Sequence, residues 1–280
     1  YYGFLNKKKK PIQIKVFKKI LLLAKKENIN FLDTSLNYKG VDDKVFKNSI
    51  NLKYFKIITK LDIPSNLNKK TENKIESNLI HSLKKLKTKK FYAILVHNCA
   101  KIKNKKTILK TQILLEKLKA KGFCNYYGLS VYNLKDYNRL KNVINPKIIQ
   151  ANLNYFDREF LYDRNFSKSI KKNKILFFTR SIFLQGVLLI DKKELPQRLR
   201  KLNRLLVFWE KICHLNELKK IEMVKNFIFN QKNIFRTIVG FQSYNEFKEF
   251  VAIRNKKKII DLYSKKHFKF FYNILKPYKW

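Results

Sequence analysis

Four residues near the start of the chain have the types needed for acid–base work on a carbonyl group. Asp33 and Tyr38 lie within "NINFLDTSLNYKG" (28–40), Lys60 ends "FKIITK" (55–60), and His97 ends "YAILVH" (92–97). A tyrosine has an ordinary pKa of about 10, so it is a poor acid at neutral pH unless a neighbouring cation lowers that value. Lys60 is suited to be that cation, and Asp33 to keep it charged and in place. Tyr38 would then protonate a carbonyl oxygen as the carbonyl carbon is reduced, while a neutral His97 directs an N–H at the same oxygen. Each residue alone carries little. A lysine in this chain is by default a solvated charge, a strand-end histidine is more often structural, and Asp33 could cap a turn. Their shared position at the carboxyl ends of strand-like runs is the informative feature.

Hydrophobic periodicity supplies the elements that must position them. A helix is predicted over 11–28, with Val16, Ile20 and Leu23 along one side, then a strand at 29–33 and a short helix at 42–51. A strand at 55–60 leads to a helix over 71–88, with Ile75, Leu79, Leu83 and Leu86 at helical spacing and Thr71 as N-cap. A strand at 92–97, a helix over 106–120 stopped by Gly122, and a strand at 127–131 follow. Further strands are predicted at 148–153, 175–181 and 236–241, with helices before 148, before 175, over 200–230 and from 244. The strands are near-continuous apolar runs of the kind buried on both faces, which predicts a parallel sheet.

No Pro/Gly/Ser-rich linker divides the chain, so residues 1–280 are expected to form one domain. The seven strands, preceded by a helix, are one short of a (β/α)8 TIM barrel; the expected class is that α/β barrel, with its first strand missing from these residues. A doubly wound sheet is the competitor. The six glycines offer neither G-x-G-x-x-G nor a P-loop spacing, which favours the barrel. In a barrel the strand ends share one mouth, and Asp33, Lys60, His97, Ser130, Gln150, Arg180 and Gly240 all fall at or near such ends.

The net charge of +44, from 64 Lys and Arg against 20 Asp and Glu, would support electrostatic binding of nucleic acid. The charge is mostly Lys, spread along the chain, and accompanied by Asn, Ile, Phe and Tyr, a signature of A/T-rich codons. Arginine, the preferred base-reading residue, is scarce, so no specific nucleic-acid partner is expected. No apolar run approaches a membrane span and no signal peptide opens the chain, so a cytoplasmic location is expected. Cys99, Cys124 and Cys213 cannot build a disulfide framework, and with His81, His214 and His267 they lack ligand spacing, so no metal is expected. The only methionine is Met223, which suggests that the sequence begins inside a longer one.

"FLDTSLNYKG" resembles the D-[TS]-[AS]-x-x-Y-G motif of the aldo-keto reductases, with a lysine inserted before the glycine. "IITK" resembles their strand ending in the catalytic lysine, and "ILVHN" the strand ending in the catalytic histidine. In the same order, "LLEKLKAKGFCNYYGLSVYN", "IIQANLNYFDR", "RSIFLQGVLL" and "IVGFQSYNEFKEFV" are similar to later motifs, and "ILKPYKW" resembles the C-terminus of one bacterial branch.

The resemblance implies a catalytic tetrad of Tyr38, Lys60, Asp33 and His97, and an NADPH or NADH cofactor. Ser130 and Gln150 match positions that hold the nicotinamide carboxamide. Arg180 stands where the family often has an aromatic that stacks on the nicotinamide, and Ser181 follows it. Gly240, Glu246 and Glu249 lie in the adenosine-phosphate region, where a helix N-terminus favours an anion. Glu246 falls near a position where many members carry an arginine for the 2′-phosphate, which weakens the case for NADP.

The family's first strand should precede Tyr2–Gly3. Without it the barrel would have raw edges near Phe31 and Ile238, so residues 1–280 alone are expected to be unstable or inactive and a longer parent active. The implied reaction is NAD(P)H-dependent reduction of an aldehyde or ketone, a small-molecule carbonyl substrate of sugar-like or acidic character given the short basic loop "NCAKIKNKK" after the 97 position. The alternatives are a non-catalytic cofactor-binding barrel acting as a sensor or partner subunit, and a basic nucleic-acid binder.

Overall fold

The computed structural model of the chain describes residues 13–36, 52–254 and 257–275. These group into two compact units, one of residues 13–36, 52–151 and 168–178, the other of residues 152–167, 179–254 and 257–275. Strands β1 (Phe31–Asp33), β2 (Lys56–Leu61), β3 (Phe91–Val96), β4 (Cys124–Val131), β5 (Ile148–Asn152), β6 (Leu176–Arg180) and β7 (Arg236–Thr237) follow one another in the sheet in sequence order. The predicted 42–51 helix lies outside the described residues.

In the first unit, helices α1 (Ile14–Lys26), α2 (Lys69–Leu86), α3 (Lys105–Ala120) and α4 (Leu134–Ile144) alternate with the strands. β1 to β5 pair in parallel. Such pairing needs a crossover between strands, and from β2 to β5 the helices α2, α3 and α4 provide it. Ile58, Ala93, Ile94, Leu95, Leu129 and Ile148 are fully buried, as strands covered on both faces require. Gly128 is dictated by this packing: a Cβ there would lie 2.0 Å from the carbonyl oxygen of Ile148, its partner in β5.

Two sequence expectations need correction. On α1 the buried line is Leu21 and Ala24, and Val16, Ile20 and Leu23 flank it half-buried. α2 starts earlier than its apolar stripe suggests, because Asn68 and not Thr71 is the N-cap. The Asn68 side chain accepts from Thr71 N at 3.0 Å, and Thr71 Oγ1 accepts from Asn68 N at 2.9 Å. This reciprocal box makes two lysines the first turn, and lysine carries no start signal. Lys117 and Lys121 on α3 reach back to Glu72 and Glu76 on α2.

The second unit contains α5 (Glu159–Tyr162), the end of β6, α7 (Asn203–Leu215), α8 (Lys220–Phe229), β7, α9 (Tyr244–Ala252) and α10 (Lys265–Phe271); α6 (Arg164–Lys172) crosses from this unit into the first. Its core is aromatic: Tyr155 packs on Trp209, Phe227 and Tyr263 with ring centroids 5.0 to 5.8 Å apart. The Arg158 guanidinium lies 4.5 Å from the Tyr155 and Phe227 rings and 4.8 Å from Tyr263, and it forks onto the Asp261 carboxylate at 2.5 and 2.9 Å. Among the described residues no helix is long and apolar enough to cross a membrane.

Candidate active site

Strand register decides which side chains of the first unit can meet. Asp33 pairs with Ile58, Lys60 with Leu95, Leu95 with Gly128, and Ser130 with Gln150. Side chains alternate along a strand, so Asp33, Lys60, Ser130 and Gln150 share one face of the sheet. His97, whose N–H donates to Leu61 O at 2.9 Å, continues the β2–β3 ladder by one step on that face.

Lys60 Nζ donates to Asp33 Oδ2 at 2.5 Å and to Thr34 O at 3.2 Å. Gln150 Nε2 donates to Asp33 Oδ1 at 2.8 Å, and Ser130 Oγ donates to Gln150 Oε1 at 3.4 Å. The Gln150–Asp33 bond joins β5 to β1 across four strand spacings, which would hold them roughly 19 Å apart in a flat sheet. The strands of this unit therefore curl, and the curl brings the polar ends together. Phe31 meets Phe178 edge to face at 5.4 Å in the same way, β1 against β6.

Lys60 is 2% exposed and Asp33 10%, so this lysine is not the solvated charge expected by default. A buried ammonium held by a carboxylate is a fixed positive charge, the type of group that lowers the pKa of a neighbouring phenol. Tyr38, the phenol expected there, lies outside the described residues. His97 is partly exposed, and its Nδ1 lies 3.4 Å from Asp62 Oδ1.

The remaining expected cofactor residues belong to the second unit. Arg180 Nη1 donates to Asn152 Oδ1 at 2.6 Å, and Ser181 Oγ to the same oxygen at 3.2 Å. Asn154 Nδ2 donates to Ser181 O at 3.3 Å. The loop after β6 is wound left-handed at Ser181 (φ 61°), Leu184 (48°), Gln185 (60°) and Gly186 (92°). Gly240, Glu246 and Glu249 are exposed. Ser243 caps α9, accepting from Glu246 N at 3.2 Å, and Glu246 Oε2 accepts from Gln242 N at 2.7 Å. Glu246 thus places its own negative charge at the positive end of α9.

Asn152 and Asp62 are polar site neighbours that sequence reasoning missed, whereas Asn154 is part of the "IIQANLNYFDR" motif. The signal was available for both missed residues. Gln150, Asn152 and Asn154 place an amide at every second position, and Asp62 is in phase with Lys60. Among the described residues no cluster of three His, Cys, Asp or Glu side chains could hold a metal ion. The buried thiols of Cys99, Cys124 and Cys213 are pushed up to about 12, 11 and 12, in each case first by burial, and are not thiolates at neutral pH.

The sequence matches the aldo/keto reductase family over residues 4–263. Comparison with curated proteins gives no match. Among solved structures, the chain is similar to aldo-keto reductase AKR11C1 from Bacillus halodurans, holo form, with 18% identity and a TM-score of 0.65 over 91% of this chain and 85% of that one. It is also similar to the glycerol dehydrogenase AKR11B4 from Gluconobacter oxydans, with 16% identity and a TM-score of 0.63 over 94% and 84%. An aldo/keto reductase from Brucella melitensis aligns with 19% identity and a TM-score of 0.58 over 95% and 93%. These likenesses carry the fold, and the family match covers nearly the whole sequence. The chain belongs to the aldo/keto reductase family, (β/α)8-barrel oxidoreductases that reduce small-molecule carbonyl groups with NADH or NADPH.

Proposed function

We propose that this protein reduces an aldehyde or ketone to an alcohol, with Tyr38 as general acid and Lys60, Asp33 and His97 assisting. The observation that carries the reading is the buried Lys60–Asp33 pair, locked from its other side by Gln150. Asp33 keeps Lys60 charged, and Lys60 favours the ionised phenol of Tyr38 once its proton has left. The short basic loop after His97 favours a sugar-like or acidic substrate.

Ser130 and Gln150 fit a nicotinamide. They are buried side by side, and together they offer a hydroxyl and an amide, the complement of a primary carboxamide. The bound cofactor supplies the hydride. We assign Arg180 and Ser181 to the nicotinamide side of the cofactor, and Gly240, Glu246 and Glu249 to its adenosine side. The Glu246 carboxylate at the start of α9 disfavours a 2′-phosphate, so we assign NADH as the preferred cofactor.

We read the 280 residues as one domain, because the chain passes back and forth between the two units, whereas separate domains are joined by a single linker. Three free, buried thiols suit a reducing compartment such as the cytoplasm.

The test is a fluorescence titration with NADH and NADPH followed by a panel of carbonyl substrates, on the full-length protein and its Tyr38→Phe variant. Turnover is expected to fall by about 10²–10⁴-fold in the variant while cofactor binding persists, with NADH bound more tightly than NADPH. Unchanged turnover removes Tyr38 from its role. Cofactor binding by the unaltered protein without turnover on any carbonyl would support the sensor alternative, and tighter NADPH binding would refute the assignment to Glu246.

A further inference from the structure

Within the first unit, charge is sorted by strand end. β1 to β5 are parallel, and Leu176 N at the start of β6 donates at 2.9 Å to Lys147 O just before β5, so all six strands begin at one end. Backbone bonds hold the approaches there to their neighbours: Lys56 N donates to Asn30 O at 2.7 Å, Phe91 N to Phe123 O at 2.9 Å and Lys147 N to Tyr127 O at 3.1 Å. The six approaches read KKE (25–27), KYFK (53–56), KKLKTKK (84–90), KLKAK (117–121), KNVINPK (141–147) and KKNK (171–174), and Glu27 is their only acid. Asp33, Asp62 and Asp136 lie at the opposite end, where strands finish. Codon bias adds lysine without regard to strand end. A helix dipole favours lysine in the last turn, which accounts for Lys25, Lys26, Lys84 and Lys171. It does not account for Lys56, Lys89, Lys90 and Lys174, which are exposed beyond the helices. Lys117 and Lys121 are taken up by Glu72 and Glu76 and add little.

The same end exposes apolar side chains. Leu22, one helical turn before Lys26 on α1, is 69% exposed, and Ile29, just before β1, is 38% exposed. We propose that the strand-start end of the first unit docks on an anionic lipid bilayer, with its lysines against the headgroups and Leu22 and Ile29 dipping among them. Three features favour a bilayer over a nucleic acid. The cations are all lysine, compact charges without the arginine fork that reads phosphates and base edges. They spread over the starts of six adjacent strands, an area instead of a track. Exposed leucine and isoleucine gain from the headgroup–acyl boundary and gain nothing from a phosphate backbone. Such attachment needs no membrane-spanning helix, and each lysine near the surface strengthens it roughly fivefold at low salt. Asp33 and Lys60, at the other end of their strands, are left on the side away from the bilayer. The lysines are scattered along the sequence and gathered by the fold.

The test is co-sedimentation of the full-length protein with vesicles of phosphatidylcholine alone and of equal parts phosphatidylcholine and phosphatidylglycerol. Binding is expected only with phosphatidylglycerol at about 0.1 M salt, and is lost at about 1 M, where the screening length is ~3 Å. Lys84→Gln/Lys89→Gln/Lys90→Gln should weaken it about 100-fold, and Lys171→Gln/Lys172→Gln/Lys174→Gln by a similar factor. Lys101→Gln/Lys103→Gln/Lys105→Gln removes the same charge beyond the end of β3 and should weaken it less than about fivefold. Leu22→Ser/Ile29→Ser should weaken it about tenfold. Equal losses in all three lysine sets would show overall charge at work and overturn the proposal. Binding of polyuridylic acid without binding of vesicles would overturn it too, in favour of a nucleic acid. Denaturation midpoints identify any variant that fails to fold, and the two strand-start sets, on separate stretches, keep the comparison intact if one does. Vesicle binding is read without turnover, so it stands or falls independently of the reductase reading.

Discussion

Asp33 and Asp261 each receive a buried cation, Lys60 in the first unit and Arg158 in the second, yet the two pairs are finished differently. Lys60 presents a compact charge on a flexible stem to a carboxylate that Gln150 holds from the other side. Arg158 is a planar fork stacked among three aromatic rings. Its carboxylate partner also accepts the Tyr155 hydroxyl at 2.8 Å and Tyr263 N at 3.1 Å. Burial pushes Asp261 upward, but the hydrogen bonds from Arg158 and Tyr155 outweigh it and hold the carboxyl below the usual range. The difference separates two uses of one kind of pair. A point charge in a polar row of strand ends can act on a passing group, whereas a stacked fork ties one segment of chain to another.

Removing charge should expose that difference most strongly. Lys60→Met leaves Asp33 buried and unpaired and is expected to cost about 3–5 kcal/mol of stability along with turnover. The Asp33→Asn/Lys60→Met double variant, which keeps the Gln150 contact and buries no charge, should return to within about 2 kcal/mol of the unaltered protein while remaining inactive. Arg158→Met should cost about 2–4 kcal/mol, and adding Asp261→Asn should not restore it, because the stacking is gone. Urea denaturation of the four variants measures this. A double variant at Lys60 as unstable as the single, or one at Arg158 that recovers, would erase the distinction.

A smaller effect should appear in acid. The folded-state pKa of Asp261 lies below its unfolded value of about 3.9, so its contribution is complete above that value and is lost as pH falls through the folded one. The denaturation midpoint should therefore drop below about pH 4, and the drop should be shallower in Arg158→Met. An identical acid profile in the two proteins would show that the fork is not the acid-sensitive element.

The smallest signal is chemical labelling. Cys99 and Cys124 report on the first unit and Cys213 on the second. At pH 8 none should react with iodoacetamide in the native protein, since burial keeps all three thiols un-ionised. Mass spectrometry along a urea series should show all three reacting together. In Arg158→Met, Cys213 should react first. Labelling of Cys99 before Cys213 in that variant would place the tether in the wrong unit.

The strands were legible because apolar runs ending in a polar residue survive even a lysine-rich composition, and their ends moved by only a few residues. The 236–241 run is the exception: its strand is only Arg236–Thr237, with Ile238 N donating to Thr179 O at 2.7 Å just beyond it. Asp33 and Lys60 were readable as a pair because each closes its run on the same face. The Gln150–Asp33 bond was not, since it spans 117 residues and exists only once the sheet curls. Asn68 was hidden by the lysines after it. Arg158 carries no local signal of its role, because Phe227, Asp261 and Tyr263 reach it only through the fold.

The Arg158–Asp261 fork also bears on how the chain is made. The two residues are 103 apart, so at a synthesis rate of about 5–20 residues per second Arg158 waits roughly 5–20 s for its partner to emerge. During that interval Tyr155 and the rings that follow it have no lid, while the strands up to Ala151 already hold most of their own partners. Ribosomal pausing before Asp261 would prolong the stage at which this segment is open to misassociation, and a chain released there would carry a settled first half and a sticky second one.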